Sequence, residues 1–346
     1  MSNRFKPAWW VIATGVIFGA FVAVLMKLGN PPNMGICAIC FLRDTAGALK
    51  LHTIDKVSYI RPEIIGFILG STIVALMTKE LKITGGSSPI LRFVIGAFVT
   101  IGALVFLGCP IRMLGRIAGG DWTALGGLLG LVIGIFVGVQ FLKAGFNLGR
   151  MQPLPGVSGW VMPIIAIGLL ILLLTKPGHI VLGPTKHAPL VISLIAGLIV
   201  SGLAQRSRFC TIGGIRDLIL IGDSHLFQGL VALLVMAFIF NLILGQFHPG
   251  ASPIAHPYFI WNFGGMFLAG LGLVLLGGCP FRQMVMSGYG NTDAGISVLG
   301  MLFGAGIAHN FNLVASPQGI PNNGKVAVLL GIIILLVIGF LSRAKE

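Results

Sequence analysis

Polar residues are sparse along this chain, and their placement divides it into elements. Ten windows of about 17 to 22 mostly apolar residues, the length needed to cross a hydrocarbon core of about 30 Å, fall near 9–28, 62–79, 91–108, 122–143, 160–176, 188–204, 226–245, 258–277, 294–312 and 325–342. Each predicts a membrane-spanning helix. Four further segments, 31–50, 109–121, 206–222 and 279–292, are too short to cross and too apolar to be free loops. Pro31, Pro32, Gly35, Pro110, Gly119, Gly120, Gly213, Gly214, Pro280, Gly288 and Gly290 argue against continuous helix in and around them. Irregular backbone survives at membrane depth only where it is buried in protein or faces a water-filled cavity. The four segments are therefore expected to be re-entrant or half-helical and to meet around a central path.

Composition agrees with this pattern. Hydrophobic residues make up 56% of the 346 positions and charged residues 9%, with a mean hydropathy of +0.99. An ordinary soluble domain carries about a quarter charged residues, so the fold class is all-α and polytopic in a membrane. The net charge of +14 does not indicate nucleic-acid binding, because no basic arm or large extramembrane domain carries it. It is the usual surplus of Lys and Arg in loops. A slight Lys and Arg excess on the N-terminal side, and a segment from Gly245 to His256 without either residue, place the N-terminus in the cytoplasm and the protein in the inner, cytoplasmic membrane. Arg4 and Lys6 precede the first window, but Trp9 and Trp10 read as interfacial anchors and no small-residue cleavage site follows Leu25, so that span is expected to be retained.

The chain also repeats itself. Cys-Ala-Ile-Cys-Phe-Leu-Arg-Asp from Cys37 returns as Cys-Thr-Ile-Gly-Gly-Ile-Arg-Asp from Cys210, and Gly-Cys-Pro-Ile-Arg around Cys109 returns as Gly-Cys-Pro-Phe-Arg around Cys279. Both offsets are close to half the chain, which predicts two pseudosymmetric repeats, residues 1–175 and 176–346, in one integrated membrane domain. About five spans per repeat is an odd number, so the second copy enters the membrane from the opposite side. Inverted repeats of this kind commonly hold their substrate near the midplane, on broken helices. Many of the 51 glycines lie at small-xxx-small spacing, as in Gly126, Gly130 and Gly134 or Gly300 and Gly304, which serves close helix packing.

Each repeated cysteine has an arginine three or six residues downstream. A cysteine in a membrane segment is ordinarily a small hydrophobe, but an Arg-Asp pair at that depth is costly and seldom idle. Cys37 and Cys210 are therefore expected to face a path, with Arg43 and Arg216 near its mouths and Asp44 and Asp217 as structural clamps. In Gly-Cys-Pro-x-Arg, the glycine admits a close neighbour and the proline suits a first helical turn. Cys109 and Cys279 would then start helices whose dipoles favour anions, with Arg112 and Arg282 nearby as planar donors for an oxoanion. The plainer reading is a tight helix start with a snorkelling arginine. Cys40, opposite Gly213, completes a Cys-x-x-Cys spacing known from redox motifs and zinc knuckles. No second pair or nearby histidine completes a metal site, so neither a metal nor a cofactor is expected. Five cysteines in or beside apolar segments do not form a secreted disulfide framework, and the seven histidines are scattered and unrepeated. No phosphate-binding loop, dinucleotide fingerprint or hydrolase elbow is present, so neither ATP-driven pumping nor a familiar hydrolase has support.

These motifs resemble the YeeE/YedE family of membrane proteins, and within it the YedE-like branch associated with selenium metabolism. The resemblance runs through Gln205-Arg-Ser-Arg-Phe-Cys210 into Arg216-Asp217 and through the Gly-Cys elements at Cys109 and Cys279. It implies an hourglass-shaped helical transporter, not an enzyme, that passes a small thiosulfate-like or selenium-containing anion without ATP along Cys37, Cys109, Cys210 and Cys279. By analogy, a cytoplasmic sulfurtransferase or selenium-handling protein would receive it. Cys40 and the Pro-x-Arg completions depart from the thiosulfate pattern. They leave open a rival reading, a membrane thiol enzyme that forms and relays a persulfide or selenopersulfide through Cys37 and Cys40.

Overall fold

The computed structural model describes residues 8–343; Arg4, Lys6 and the last three residues of the charged tail lie outside them. The described residues form fourteen α-helices, with one two-residue strand pair joining Thr84–Gly85 to Gln152–Pro153. Ten are long: α1 (Trp9–Lys27), α3 (Pro62–Met77), α4 (Pro89–Phe106), α6 (Ala124–Lys143), α7 (Val161–Thr175), α8 (Leu190–Ser207), α10 (His225–Ile243), α11 (Phe259–Leu276), α13 (Thr292–Asn310) and α14 (Asn322–Leu341). Four are short: α2 (Ala38–Ala48), α5 (Pro110–Ala118), α9 (Thr211–Ile221) and α12 (Pro280–Gly288). The order long, short, long, long, short, long, long runs through α1–α7 and again through α8–α14.

Among the described residues, nine stretches are long and apolar enough to cross a membrane. Every window expected from the sequence is a long helix, but α13 stands outside the nine, because Thr292, Asp293, Ser297, His309 and Asn310 dilute its apolar run. In five of the nine, a short helix or turn is continuous with a long one, as in Pro89–Ala118 and Phe259–Gly288.

The breaks between long and short helices follow from local chemistry. α4 ends on Leu107 and α11 on Gly277, both left-handed, at φ 65° and 83°. Gly108 and Gly278 come next, then the cysteine, then a proline at the first position of α5 and α12. The proline has no N–H to lose there and its φ already suits a helix. The chain thus stops, turns and restarts within four residues.

The two series interlock. α6 lies along α11 and α4 along α13, while α1 lies along α10 and α3 along α8; α4 and α11 pack together at the centre. Glycines set these approaches, since a Cβ at Gly130 or Gly134 would run into the Phe263 or Phe267 carbonyl of α11, and one at Gly300 into the Phe93 carbonyl of α4. The correspondence ends at the last helices, for α7 packs on α3 and α12 whereas α14 packs on α4 and α11.

Polarity is inverted relative to a soluble protein. Leu174, Ile243, Leu329, Ile333 and Phe340 are exposed, while Arg61, Arg112 and Arg116 are among the largest fully buried side chains. The surface faces lipid and the charges lie inside.

Candidate functional site

Each repeated cysteine caps a short helix. Cys37 precedes α2, Cys109 α5, Cys210 α9 and Cys279 α12. Three of the thiols accept from their own helix: Cys37 Sγ from Cys40 N at 3.3 Å, Cys210 Sγ from Gly213 N at 3.3 Å and Cys279 Sγ from Arg282 N at 3.4 Å. Serine or threonine ordinarily fills this role.

The caps also meet in pairs. Cys109 N donates to Cys37 Sγ at 3.4 Å, and Cys279 N donates to Cys210 Sγ at 3.3 Å. Within each series, therefore, two helix N-termini converge on sulfur, and their partial positive charges make each convergence attractive to an anion. All five thiols are free and buried. Cys37, Cys40, Cys109 and Cys279 are 0% exposed and Cys210 5%.

Cys40 enlarges the first pair to a triad. Its Sγ lies 2.8 Å from Cys37 Sγ and accepts from Arg112 Nη1 at 3.2 Å. The rest of the Arg112 guanidinium is held by main-chain carbonyls, with Nε on Asn33 O at 2.9 Å and Nη2 on Ile254 O at 3.1 Å. Arg282 is held in a similar way, through Nη1 on Ala204 O at 3.2 Å and Nη2 on Tyr289 Oη at 3.1 Å. The glycine of Gly-Cys-Pro-x-Arg acquires a specific role here. A Cβ on Gly108 would stand 2.9 Å from Arg112 Cδ, and one on Gly278 3.1 Å from Arg282 Cγ. The close neighbour admitted is the motif's own arginine.

The two Arg-Asp pairs have different surroundings. Asp44 Oδ1 accepts from Arg43 Nε at 2.9 Å and Nη2 at 2.6 Å, while Asp44 Oδ2 accepts from Arg61 Nε at 2.7 Å, so Asp44 joins α2 to the start of α3. Asp217 pairs with Arg216 of its own helix at 2.8 Å, and these side chains keep 20% and 24% of their surface exposed. The four repeated cysteines with Arg112 and Arg282 are thus gathered into the two thiol pairs and their arginine frames, Arg43 and Asp44 lie in a buried ion pair, and Arg216 with Asp217 lies toward the surface.

Sequence reasoning missed several neighbours. Arg116 is fixed by Asp121 at 2.8 Å, by Phe106 O and by Thr123, which ties α5 to the turns at both its ends. Phe18, Phe67, Phe209 and Phe281 form a chain of rings with centroids 4.9 to 5.6 Å apart, edge-to-face at Phe281 and tilted between Phe18 and Phe209. Phe209 directly precedes Cys210, and Phe281 follows Cys279 by two, so aromatic rings crowd the second thiol pair. At the corresponding positions near the first pair stand Ile36 and Ile111, equally buried. A cavity of about 330 Å³ opens between Asn30, Asn33, Gly119, His248 and Ser252. It lies against the same Asn33 that receives Arg112.

Two histidines outside the spans are held neutral. His52 Nδ1 accepts from Ile54 N at 3.2 Å, so its protonated Nε2 donates to Arg43 O at 3.0 Å. His256 shares a 2.8 Å hydrogen bond with Val105 O. Burial lowers the pKa of both below 6.5.

Fold and site together define a multi-span, all-helical membrane protein with buried, paired thiols at helix N-termini. Residues 206–345 match a family described as sulphur transport; this stretch holds Cys210, Arg216, Asp217, Cys279 and Arg282. The chain is 33% identical over 102 residues to the thiosulfate transporter TsuA of Escherichia coli, covering 28% of each chain. It is 31% identical over 109 residues to the thiosulfate transporter TsuA of Spirochaeta thermophila, covering 31% of this chain and 32% of that one. The chain thus spans under a third of the length of either relative.

Proposed function

We propose that this protein is a transporter of the cytoplasmic membrane that carries a small sulfur-containing oxoanion of the thiosulfate kind. The convergence of two short-helix N-termini on sulfur in each series carries this reading, because it offers an anion partial positive charge and offers its outer sulfur a soft S–H donor. The family matched by residues 206–345 and the two relatives point to the same substrate class. The halves 1–175 and 176–346 act as inverted repeats, so that an anion entering from either face meets arginine first and then thiols. Cys37, Cys109, Cys210 and Cys279 pass it by weak, exchangeable contacts, since a site that bound too tightly would not release it. Arg112 and Arg282 shape the two clusters, Arg43 supplies positive charge beside the first, Arg216 supplies it nearer the surface, and Asp44 clamps α2 to α3. Selenium oxoanions of like shape are competing substrates, and a cytoplasmic sulfurtransferase or selenium-handling protein is the natural receiver.

The test is uptake of radiolabelled thiosulfate by proteoliposomes, with selenite and selenide as competitors. Uptake without ATP is expected, and Cys109→Ala or Cys279→Ala abolishes it while the protein stays folded. Wild-type uptake in both variants removes the relay.

The 2.8 Å approach of Cys37 and Cys40 favours one rival, persulfide chemistry. There the Cys37 thiolate attacks the outer sulfur of thiosulfate, sulfite leaves, and the persulfide passes to Cys40. That reading requires a covalent adduct by intact mass and inactivity of Cys40→Ser; the relay forms no adduct and tolerates that change.

A further inference from the structure

Glu63 is the second residue of α3, directly after Pro62, and is 0% exposed. Its Oε1 accepts from Asn30 Nδ2 at 3.0 Å, while its Oε2 is buried with no hydrogen-bond partner among the described residues. A bare carboxylate oxygen inside a membrane protein is costly, and an ionisable side chain kept there marks a working site by default.

Asn30 shows what this carboxyl is connected to. Its amide nitrogen also donates to Gly35 O at 2.8 Å, and its Oδ1 accepts from Arg61 Nη1 at 3.2 Å and from Ala188 N at 2.9 Å. Arg61 in turn holds one oxygen of Asp44, and Arg43 holds the other. Glu63, Asn30, Arg61, Asp44 and Arg43 are therefore one buried chain that ends three residues beyond Cys40. Asn30 lines the 330 Å³ cavity together with Asn33, whose carbonyl fixes Arg112 beside the thiol triad. Asn30 is thus the link between the Glu63 carboxyl and a cavity that solvent can fill.

Charge decides what the bare oxygen takes. With Glu63 ionised, two carboxylates balance Arg43 and Arg61 and the chain is neutral; with Glu63 protonated, it carries one net positive charge next to the thiols. The other groups facing Glu63 do not upset this balance. Tyr59 and Arg61 come from its own approach, and the His187 ring stacks on Tyr59 at 4.1 Å. Lys186 gives Arg61 its carbonyl. From α8 the Gly197 backbone packs on the Glu63 backbone.

We propose that Glu63 is a proton-binding site whose occupancy is linked to that of the anion path, which makes the protein a proton–anion symporter. An arriving oxoanion places negative charge beside Arg43 and Arg112. Binding of the anion and of a proton at Glu63 then favour one another, and the linkage is reciprocal. The coupling rests on the anion-transport reading above; the proton site does not.

In proteoliposomes, initial thiosulfate uptake should rise several-fold when the outside is made acid relative to the inside, and a protonophore should cancel the rise. In Glu63→Gln, uptake should be the same with and without the gradient. A wild type indifferent to the gradient, or a Glu63→Gln variant that still follows it, overturns the coupling. Infrared titration of the purified full chain reads the site without transport, through a protonated-carboxyl band that Glu63→Gln removes; a band unchanged in that variant overturns the site. If the band is lost on substitution but the wild type takes up no thiosulfate, the proton site stands and the transport reading fails. Should Glu63→Gln not fold, calorimetry of thiosulfate binding to the wild type in buffers of different ionisation enthalpy decides: proton uptake supports the linkage and its absence refutes it.

Discussion

Gly108 and Gly278 each leave room for the arginine four residues on, and this defines the finest test of the thiol frame. In Gly108→Ala the added Cβ meets Arg112 Cδ, and the flexible side chain yields, losing its hold on the Asn33 and Ile254 carbonyls. Folded protein should be recovered, with thiosulfate uptake down about tenfold, the equivalent of ~1.4 kcal/mol. Uptake at the wild-type level would show that Arg112 needs no fixed place. Asp44 and Asp217 give a second contrast, because equal motifs sit in unequal surroundings. Asp44→Ala removes the ion-pair partner that Arg43 and Arg61 share and should cost about 3–5 kcal/mol, whereas Asp217→Ala breaks a part-exposed pair worth about 0–1 kcal/mol. Unfolding in detergent measures both, and equal losses would contradict the burial difference. Recurrence made the cysteines and their arginines legible in the sequence. Asn30, Arg61 and Glu63 were not legible, because none recurs and they are joined across distant segments; Arg116 was not legible because it does not recur, although Asp121, Thr123 and Phe106 lie close to it in the chain.

At the scale of elements, the four short helices are defined by how they begin. Proline after the cysteine fixes α5 and α12, and the alternation of apolar windows with Gly- and Pro-rich segments located all four from the pattern alone. The Gly-Cys-Pro pattern placed Cys109 and Cys279 at helix starts; what the pattern could not give is that Cys37 and Cys210 cap helices too, with sulfur as the acceptor. Serine is the better capping side chain, so Cys210→Ser should leave the unfolding midpoint within about 1 kcal/mol of wild type in free-energy terms. It should nevertheless lose uptake if the soft S–H is what the substrate meets. Parallel losses of stability and uptake would instead make Cys210 structural. The glycine spacings were legible for the same reason as the windows: at Gly130, Gly134 and Gly300 the neighbouring helix carbonyl occupies the space where a side chain would stand, and such an approach needs small residues on one face in register.

At the scale of the whole molecule, the two seven-helix series embrace each other and then part company at α7 and α14, a difference that no motif announces because both helices read simply as apolar windows. The molecule is also closed by groups that respond to acid. His52 bridges Ile54 and Arg43 just beyond α2, and His256 holds the end of α4 through Val105. Burial lowers both pKa values in the fold, while in the unfolded chain each returns to about 6.5. Between those values the unfolded chain binds protons that the fold refuses, so stability falls as pH drops below about 6.5 and is retained above it. Thermal unfolding in detergent should therefore show a midpoint flat from neutral pH upward and declining on the acid side. Protonation of His52 also forfeits the bond from Ile54, so His52→Gln, which keeps a donor toward Arg43 without titrating, should flatten part of the decline. A slope unchanged in that variant would assign the acid sensitivity to other groups.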